Sequence, residues 1–350
     1  MAALKALLER GRPHLRTDIV ATVDANGTSL PIWCIETGSA DPNAPVVGFF
    51  GGVHGMERIG SQVLIAYLHT LIERLRWDRY YALLLEQVRL VFMPMVNPGG
   101  LLLSTRANPD GIDLMRCAPV DAQERVPFLV GGHRIGPYLS WYRGRLHAPL
   151  PTEASALIEA VRARLHTHPF SLAIDCHSGF GLRDRIWFPY ARSRQPAPNL
   201  PDAFALRALF NHTYPNHRFY LMEPQSASYT THGDLWDFLY DEYLAHHAEH
   251  PAQRAGAFLP FTLEMGSWLW VKKNPRQFFS WMGHFNPILP HRLERVLRRH
   301  LTLFDFLVAA SAAWQNWLPE GQLREAYRRD AMRRWFQGNP HKNPPENPTK

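Results

Sequence analysis

Three short stretches, Ala44 to Phe50, Ser171 to Cys176 and Phe258 to Leu263, constrain this chain more than any other feature of its sequence. Each is largely apolar without a clean polar alternation, and each is too short to be a helix. Strands of that kind are buried on both faces, so the pattern predicts a mostly parallel or mixed sheet with helices packed against either side. The three runs also end at telling residues: Gly51-Gly52, with His54 and Glu57 just beyond, then His177, then Glu264. Ligands of such sheets bind beyond the carboxyl ends of strands, and all four of these chemical side chains fall there.

The remaining elements fit the same architecture. An N-terminal helix precedes two strands, Ile19 to Val23 and Leu30 to Glu36, which read as a hairpin about Asn26-Gly27. Apolar residues at Val63, Leu64, Tyr67 and Leu71 give helical spacing to Ile59–Leu75. Gln87 to Met95 is a strand closed by Asn97-Pro98-Gly99-Gly100, and Glu153 to His166 is a helix. The expected fold is therefore α/β, a three-layer αβα sandwich around a mostly parallel or mixed central sheet. We expect one catalytic domain over residues 1–315 with its N-terminal hairpin, a basic helical extension over 316–338, and a disordered tail over 339–350, where Pro, Asn and Lys dominate. There is no internal repeat.

Composition narrows the function classes. Of 350 residues 46% are hydrophobic and 20% charged, enough apolar material for a large core. The formal charge of +7 invites thoughts of a polyanion, but the arginines gather at Arg292, Arg295, Arg298 and Arg299 and between Arg324 and Arg334. They lie in helical patterns rather than in a nucleic-acid-reading module, so solvated helix faces are expected and a nucleic-acid partner is not. Cys34, Cys117 and Cys176 lack paired metal or redox spacing and read as reduced, buried thiols. Lys5, Glu9 and Arg10 interrupt any secretory leader, and the apolar stretch Leu301–Trp314 contains Asp305 and is too short for a membrane span. By default a cytoplasmic protein with no membrane partner is expected, and its oligomeric state is unspecified.

The segment Gly51-Gly-Val-His-Gly-Met-Glu57 carries an imidazole and a carboxylate three residues apart on a glycine-flanked loop, so both can turn toward one ion. Catalytic zinc sites favour nitrogen and carboxylate donors with one position left for water, and His177 at a strand end is the best third ligand. The spacing alone is weak evidence. His246 and Glu249 share it, within a polar helical stretch that no buried strand or glycine turn leads into.

Taken in order, His54-x-x-Glu57, Asn97-Pro98-x-Gly100, Thr105-Arg-Ala-Asn-Pro-Asp-Gly-Ile-Asp-Leu-Met-Arg116, Asp175-x-His177 and Thr262-Leu-Glu264 resemble the motif set of zinc carboxypeptidases. The likeness spans roughly residues 44 to 270 and looks closest to the bacterial branch that includes murein peptide amidase. It implies a hydrolase with one zinc ion held by His54, Glu57 and His177. Glu264 matches the catalytic carboxylate, which takes a proton from the attacking water and passes it to the leaving amine. Arg106 matches the arginine that polarises the scissile carbonyl, and Arg116 the one that clamps the substrate's terminal carboxylate. Tyr229, four residues before Gly233, resembles the family's mobile tyrosine. The region from Asp234 to Asp237 is expected beside the side-chain pocket.

Two departures alter what the resemblance implies. Met115 stands where the family has an asparagine that helps hold the carboxylate, so an amide donor is lost and an apolar pocket wall is possible instead. Met56 stands where many digestive members have arginine. Two substrates therefore stay open: a peptide cut near its C-terminus by a carboxypeptidase or peptide amidase, or an acylated amino acid, as in the aspartoacylase and succinylglutamate desuccinylase branch. A catalytically silent metal-binding interaction protein is the third alternative.

Overall fold

The computed structural model describes residues 2–249 and 256–337. Helix α1 (Ala2–Gly11) leads into the hairpin β1 (Arg16–Ala25) and β2 (Thr28–Gly38). Asn26 and Gly27 both take positive φ at its turn, the two-residue geometry that suits the twist of paired strands. Then follow β3 (Val46–Gly51), α2 (Arg58–Arg74), α3 (Arg79–Leu85), β4 (Arg89–Met93), α4 (Pro98–Leu103), α5 (Thr152–Arg164) and β5 (Phe170–Ser178). The second half holds β6 (Asp184–Phe188), α6 (Leu200–Thr213), β7 (Tyr220–Pro224), α7 (Leu235–Glu249), β8 (Ala257–Met265), α8 (Trp268–Lys273), α9 (Pro290–Arg299), α10 (Leu301–Ala312) and α11 (Gly321–Trp335).

The strands form one sheet in the order β1-β2-β4-β3-β5-β8-β6-β7. Strands β4, β3, β5 and β8 run parallel, with antiparallel pairs at β1–β2, β2–β4 and β6–β8. The sheet is thus the expected mixed one, and two apolar clusters lie on its opposite faces. One packs Val63, Leu64 and Leu71 of α2 and Phe304 and Val308 of α10 against Phe49, Ile174 and Leu263. The other packs Leu157 and Val161 of α5 and Leu239 of α7 against Phe50, Ala173 and Phe258. All nine residues of β5 are buried, as a strand covered from both sides must be.

Helix α11 packs on this body. Ala331 is fully buried, Arg324 pairs with Asp202 of α6, and the Trp335 indole donates to the Met222 carbonyl at 2.8 Å while its ring meets Phe188. The tail from 339 lies outside the described residues. Cys34, Cys117 and Cys176 are free and buried. No described helix is long and apolar enough to cross a membrane.

One buried histidine makes the fold sensitive to acid. His300, between α9 and α10, is 1% exposed; the Tyr220 hydroxyl lies 2.9 Å from Nδ1 and Nε2 has no partner. Burial pushes its pKa down to about 4, with Asp184 offsetting only part. Its unfolded value is about 6.5. Below that pH the unfolded chain binds a proton that the folded ring refuses, so the contribution to stability is complete above pH ~6.5 and disappears toward pH ~4. Urea melts across this window should show wild type losing about 3 kcal/mol more than His300→Asn. Parallel losses in the two proteins would contradict this account.

Candidate metal centre

Strand order determines where the site lies. The chain leaves β3 for β4 on one side and later reaches β5 on the other, so a crevice opens beyond the carboxyl ends of β3 and β5. The loop after β3 carries His54 and Glu57, and β5 carries His177 near its end. Two glycines permit the close packing. A Cβ on Gly55 would sit 1.9 Å from the carbonyl carbon of Gly100, and one on Gly60 would sit 2.1 Å from the Cys176 oxygen. Two asparagines brace the loop: Asn97 Nδ2 donates to the Val53 carbonyl at 3.1 Å, and Asn286 Nδ2 to the Met56 carbonyl at 2.8 Å.

One ligating atom from each of His54, Glu57 and His177 lies within 4.8 Å of the other two, and all three residues are buried. His54 Nδ1 is 2.9 Å from Glu57 Oε1, His177 Nδ1 is 3.1 Å from Glu57 Oε2, and the two Nδ1 atoms are 3.2 Å apart. On their far sides His54 Nε2 meets Asp113 at 3.0 Å and His177 Nε2 meets Asp175 at 2.7 Å. A carboxylate behind each ring retains the proton on Nε2, which leaves Nδ1 as a bare acceptor in the neutral tautomer.

Three acceptor groups facing one another repel unless positive charge lies among them. A proton can supply it. Burial disfavours charge on His177, yet Asp175 and Glu57 together outweigh burial and hold the ring well above the ordinary imidazole range. Glu57 moves the opposite way: burial opposes its charge, but His54 and His177 carry its pKa below the usual carboxylate range. A dication supplies the charge better. Glu57, Asp113, Asp175 and Glu264 are four buried carboxylates in contact with or close to the cluster, with Arg106 paired to Glu57 and Asp113, and two imidazole nitrogens with a carboxylate form a donor set that suits zinc.

The other residues singled out by sequence converge on this cluster. In the parallel register of β5 and β8, His177 stands opposite Glu264, so both project from one sheet face at one end. Glu264 Oε1 accepts from the Phe180 N–H at 2.9 Å. Burial, reinforced by the nearby Glu57 charge, pushes its pKa up to about 8. Arg106 donates from Nε to Asp113 at 2.7 Å and from Nη1 to Glu57 at 3.4 Å, and neither bond uses Nη2. Tyr229 lies within electrostatic reach of Arg116, Glu264 and Arg106. Its ring packs on Phe180 and Trp187.

Arg116 is buried and partly committed, with Nε donating to the Val130 carbonyl at 3.1 Å and Nη1 to that of Met115 at 2.9 Å. Met115 is 5% exposed and belongs to the apolar cluster under α5 and α7. Asp234 and Asp237 serve the backbone: Asp234 accepts from the Trp236 and Asp237 amides, and Asp237 from those of Ala191 and Arg192. His246 and Glu249 lie exposed on α7. Among the described residues, only His54, Glu57 and His177 form a metal-ligating group of three.

Asp113, Asp175, Trp236 and Asn286 are structural parts of the site to which sequence reasoning assigned no role. Asp175 did leave a signal, since two residues apart on a strand put it on the His177 face. Asp113 is fully buried; burial opposes its charge, and Arg106 and His54 overcome that to hold it well below the carboxylate range.

Comparison with known proteins follows the same lines. The profile of the zinc carboxypeptidase family matches residues 9–267. Carboxypeptidase SOL1 of Arabidopsis thaliana is 29% identical over 93 residues, 26% of this chain and 19% of that protein. The catalytic chain of carboxypeptidase N from Rattus norvegicus is 24% identical over 260 residues, 69% of this chain and 50% of that one. The chain thus spans no more than half the length of these two relatives. Carboxypeptidase A from Helicoverpa armigera has a similar fold, with TM-score 0.63 and 16% identity over 89% of this chain and 71% of that one.

Proposed function

We propose, from the premise that the chain belongs to the zinc carboxypeptidase family, as the match over residues 9–267 shows, that this protein hydrolyses an amide bond near the C-terminus of a peptide. The observation that carries this reading is the β5–β8 register, which sets the carboxylate of Glu264 across from the metal-ligating ring of His177. His54, Glu57 and His177 hold the zinc. When bound, that ion acts as a Lewis acid, acidifying water and polarising a carbonyl oxygen.

The chain's own groups supply the rest. Glu264 takes the proton of the attacking water at a carboxylate oxygen and delivers it to the leaving nitrogen, a transfer helped by a basicity that burial has raised. Arg106, fixed at two atoms by Asp113 and Glu57, keeps Nη2 for the oxygen where negative charge develops. Tyr229 and Arg116 face the C-terminal part of the substrate.

Arg116 has two of its five N–H donors engaged by main-chain carbonyls, and Met115 offers none, so the grip on a terminal carboxylate rests on the remaining donors of Arg116 without an amide partner beside them. A peptide with a free C-terminal acid is expected to exceed its amidated twin in kcat/KM by only about tenfold. Steady-state assay of the matched pair checks this, and a thousandfold preference would restore the full clamp. The second reading, an acylated amino acid, is motivated by Met115, an apolar side chain with no amide donor to offer. Clear preference for longer peptides over N-acyl amino acids would remove it.

A further inference from the structure

Trp236 makes a contact that packing alone does not require. Its indole Nε1 donates to Asp175 Oδ2 at 3.0 Å, the same oxygen that His177 Nε2 meets at 2.7 Å. The other oxygen of Asp175 is buried without a hydrogen-bond partner, and the residue is fully buried. This carboxylate therefore has two side-chain neighbours to orient it, one being the metal ligand and the other Trp236. A carboxylate with a single donor can turn about its last torsion, and the imidazole it holds turns with it.

Trp236 is itself rigidly placed. It is 3% exposed, its backbone N–H is capped by Asp234 at 2.9 Å in the first turn of α7, and its ring meets Phe50 edge-on at 5.0 Å between centroids. Phe50 lies in β3, the strand whose loop carries His54 and Glu57. Trp236 thus links α7, β3 and β5 at one buried carboxylate. Just upstream, the amide of Gly233 donates to Val120 and that of Ala118 to Gly233, so the segment after Tyr229 ends at the same anchor.

We propose that Trp236 is a positioning residue of the metal centre, acting through Asp175 to hold His177 in the orientation that receives zinc. The proposal rests on the zinc reading above. Partners behind metal-ligating histidines typically change affinity by about 10- to 100-fold, whereas loss of a remote packing contact does not act selectively on the metal.

The test is a double-mutant cycle on zinc affinity, measured by competition with a chelating indicator, with apo-protein melting recorded beside it. Trp236→Phe keeps the ring and deletes the donor, and is expected to weaken zinc binding about tenfold. Asp175→Asn replaces one acceptor oxygen by a nitrogen and is expected to weaken it by about 10- to 100-fold. Added to Asp175→Asn, the Trp236→Phe change is expected to matter by less than about twofold, because its route to the metal is already cut. A tenfold effect persisting there makes Trp236 a packing residue, and wild-type affinity in Trp236→Phe also overturns the proposal. Should Trp236→Phe not fold, Trp236→His, which keeps a ring N–H, is expected within about threefold of wild type, and a greater loss counts against the proposal. Failure of the wild-type protein to bind zinc would instead refute the zinc reading itself.

Discussion

Glu264→Gln is expected to lower kcat by about three to four orders of magnitude while one equivalent of zinc remains bound. The side chain lies at the end of β8, 7% exposed, with Oε1 accepting from the Phe180 amide at 2.9 Å. Glutamine has the same shape and its carbonyl oxygen can keep that bond, so the fold and the metal ligands stay as they are. What disappears is a group able to take a proton and give it back. Burial and the Glu57 charge raise the Glu264 pKa to about 8, and the positive charge of a bound metal acts in the opposite sense. Both influences converge on a carboxylate that exchanges protons near neutral pH. Assay of a small amide library with zinc quantified on the same samples checks the result. Full turnover in the variant would mean that another group carries the proton.

The legibility of this site followed the strands. Strands β3, β5 and β8 could be read because their residues are buried on both faces, and His54, Glu57, His177 and Glu264 could be read because they sit at those strand ends. Strands β6 and β7 escaped: Asp-Arg-Ile-Trp-Phe and Tyr-Leu-Met-Glu-Pro are short and interrupted by charge; β6 is a strand because β8 offers an antiparallel edge, and β7 because β6 then offers a parallel one. The same limit applies to the bracing residues. Asp113 reaches His54 across 59 positions, Trp236 reaches Asp175 across 61 and Asn286 reaches Met56 across 230, with no local periodicity to mark any of them. Asp234 and Asp237 have backbone partners that are equally hard to read: Asp234 caps amides in the first turn of α7, where a carboxylate suits a helix N-terminus, while Asp237 accepts from the distant amides of Ala191 and Arg192.

Removing the metal with a chelator is expected to abolish turnover and to lower stability by about 4 kcal/mol when free zinc had stood a thousandfold above its Kd. The first effect follows if the three ligands hold the Lewis acid of the reaction. The second follows because the native cluster binds zinc and the unfolded chain has no such cluster. The apo protein should still fold, since a proton held on His177 by Asp175 and Glu57 relieves the repulsion among the facing acceptors, although one proton leaves more of the carboxylate charge uncompensated than a dication does. Thermal melts with and without chelator, followed by zinc addition, measure the shift and its reversal. His177→Ala removes one ligand and should melt at the same temperature whether or not zinc is present. A wild-type protein that keeps its activity and melting point after metal removal, or a His177→Ala protein that still gains stability from zinc, would mean that these acceptors meet for some purpose other than holding an ion.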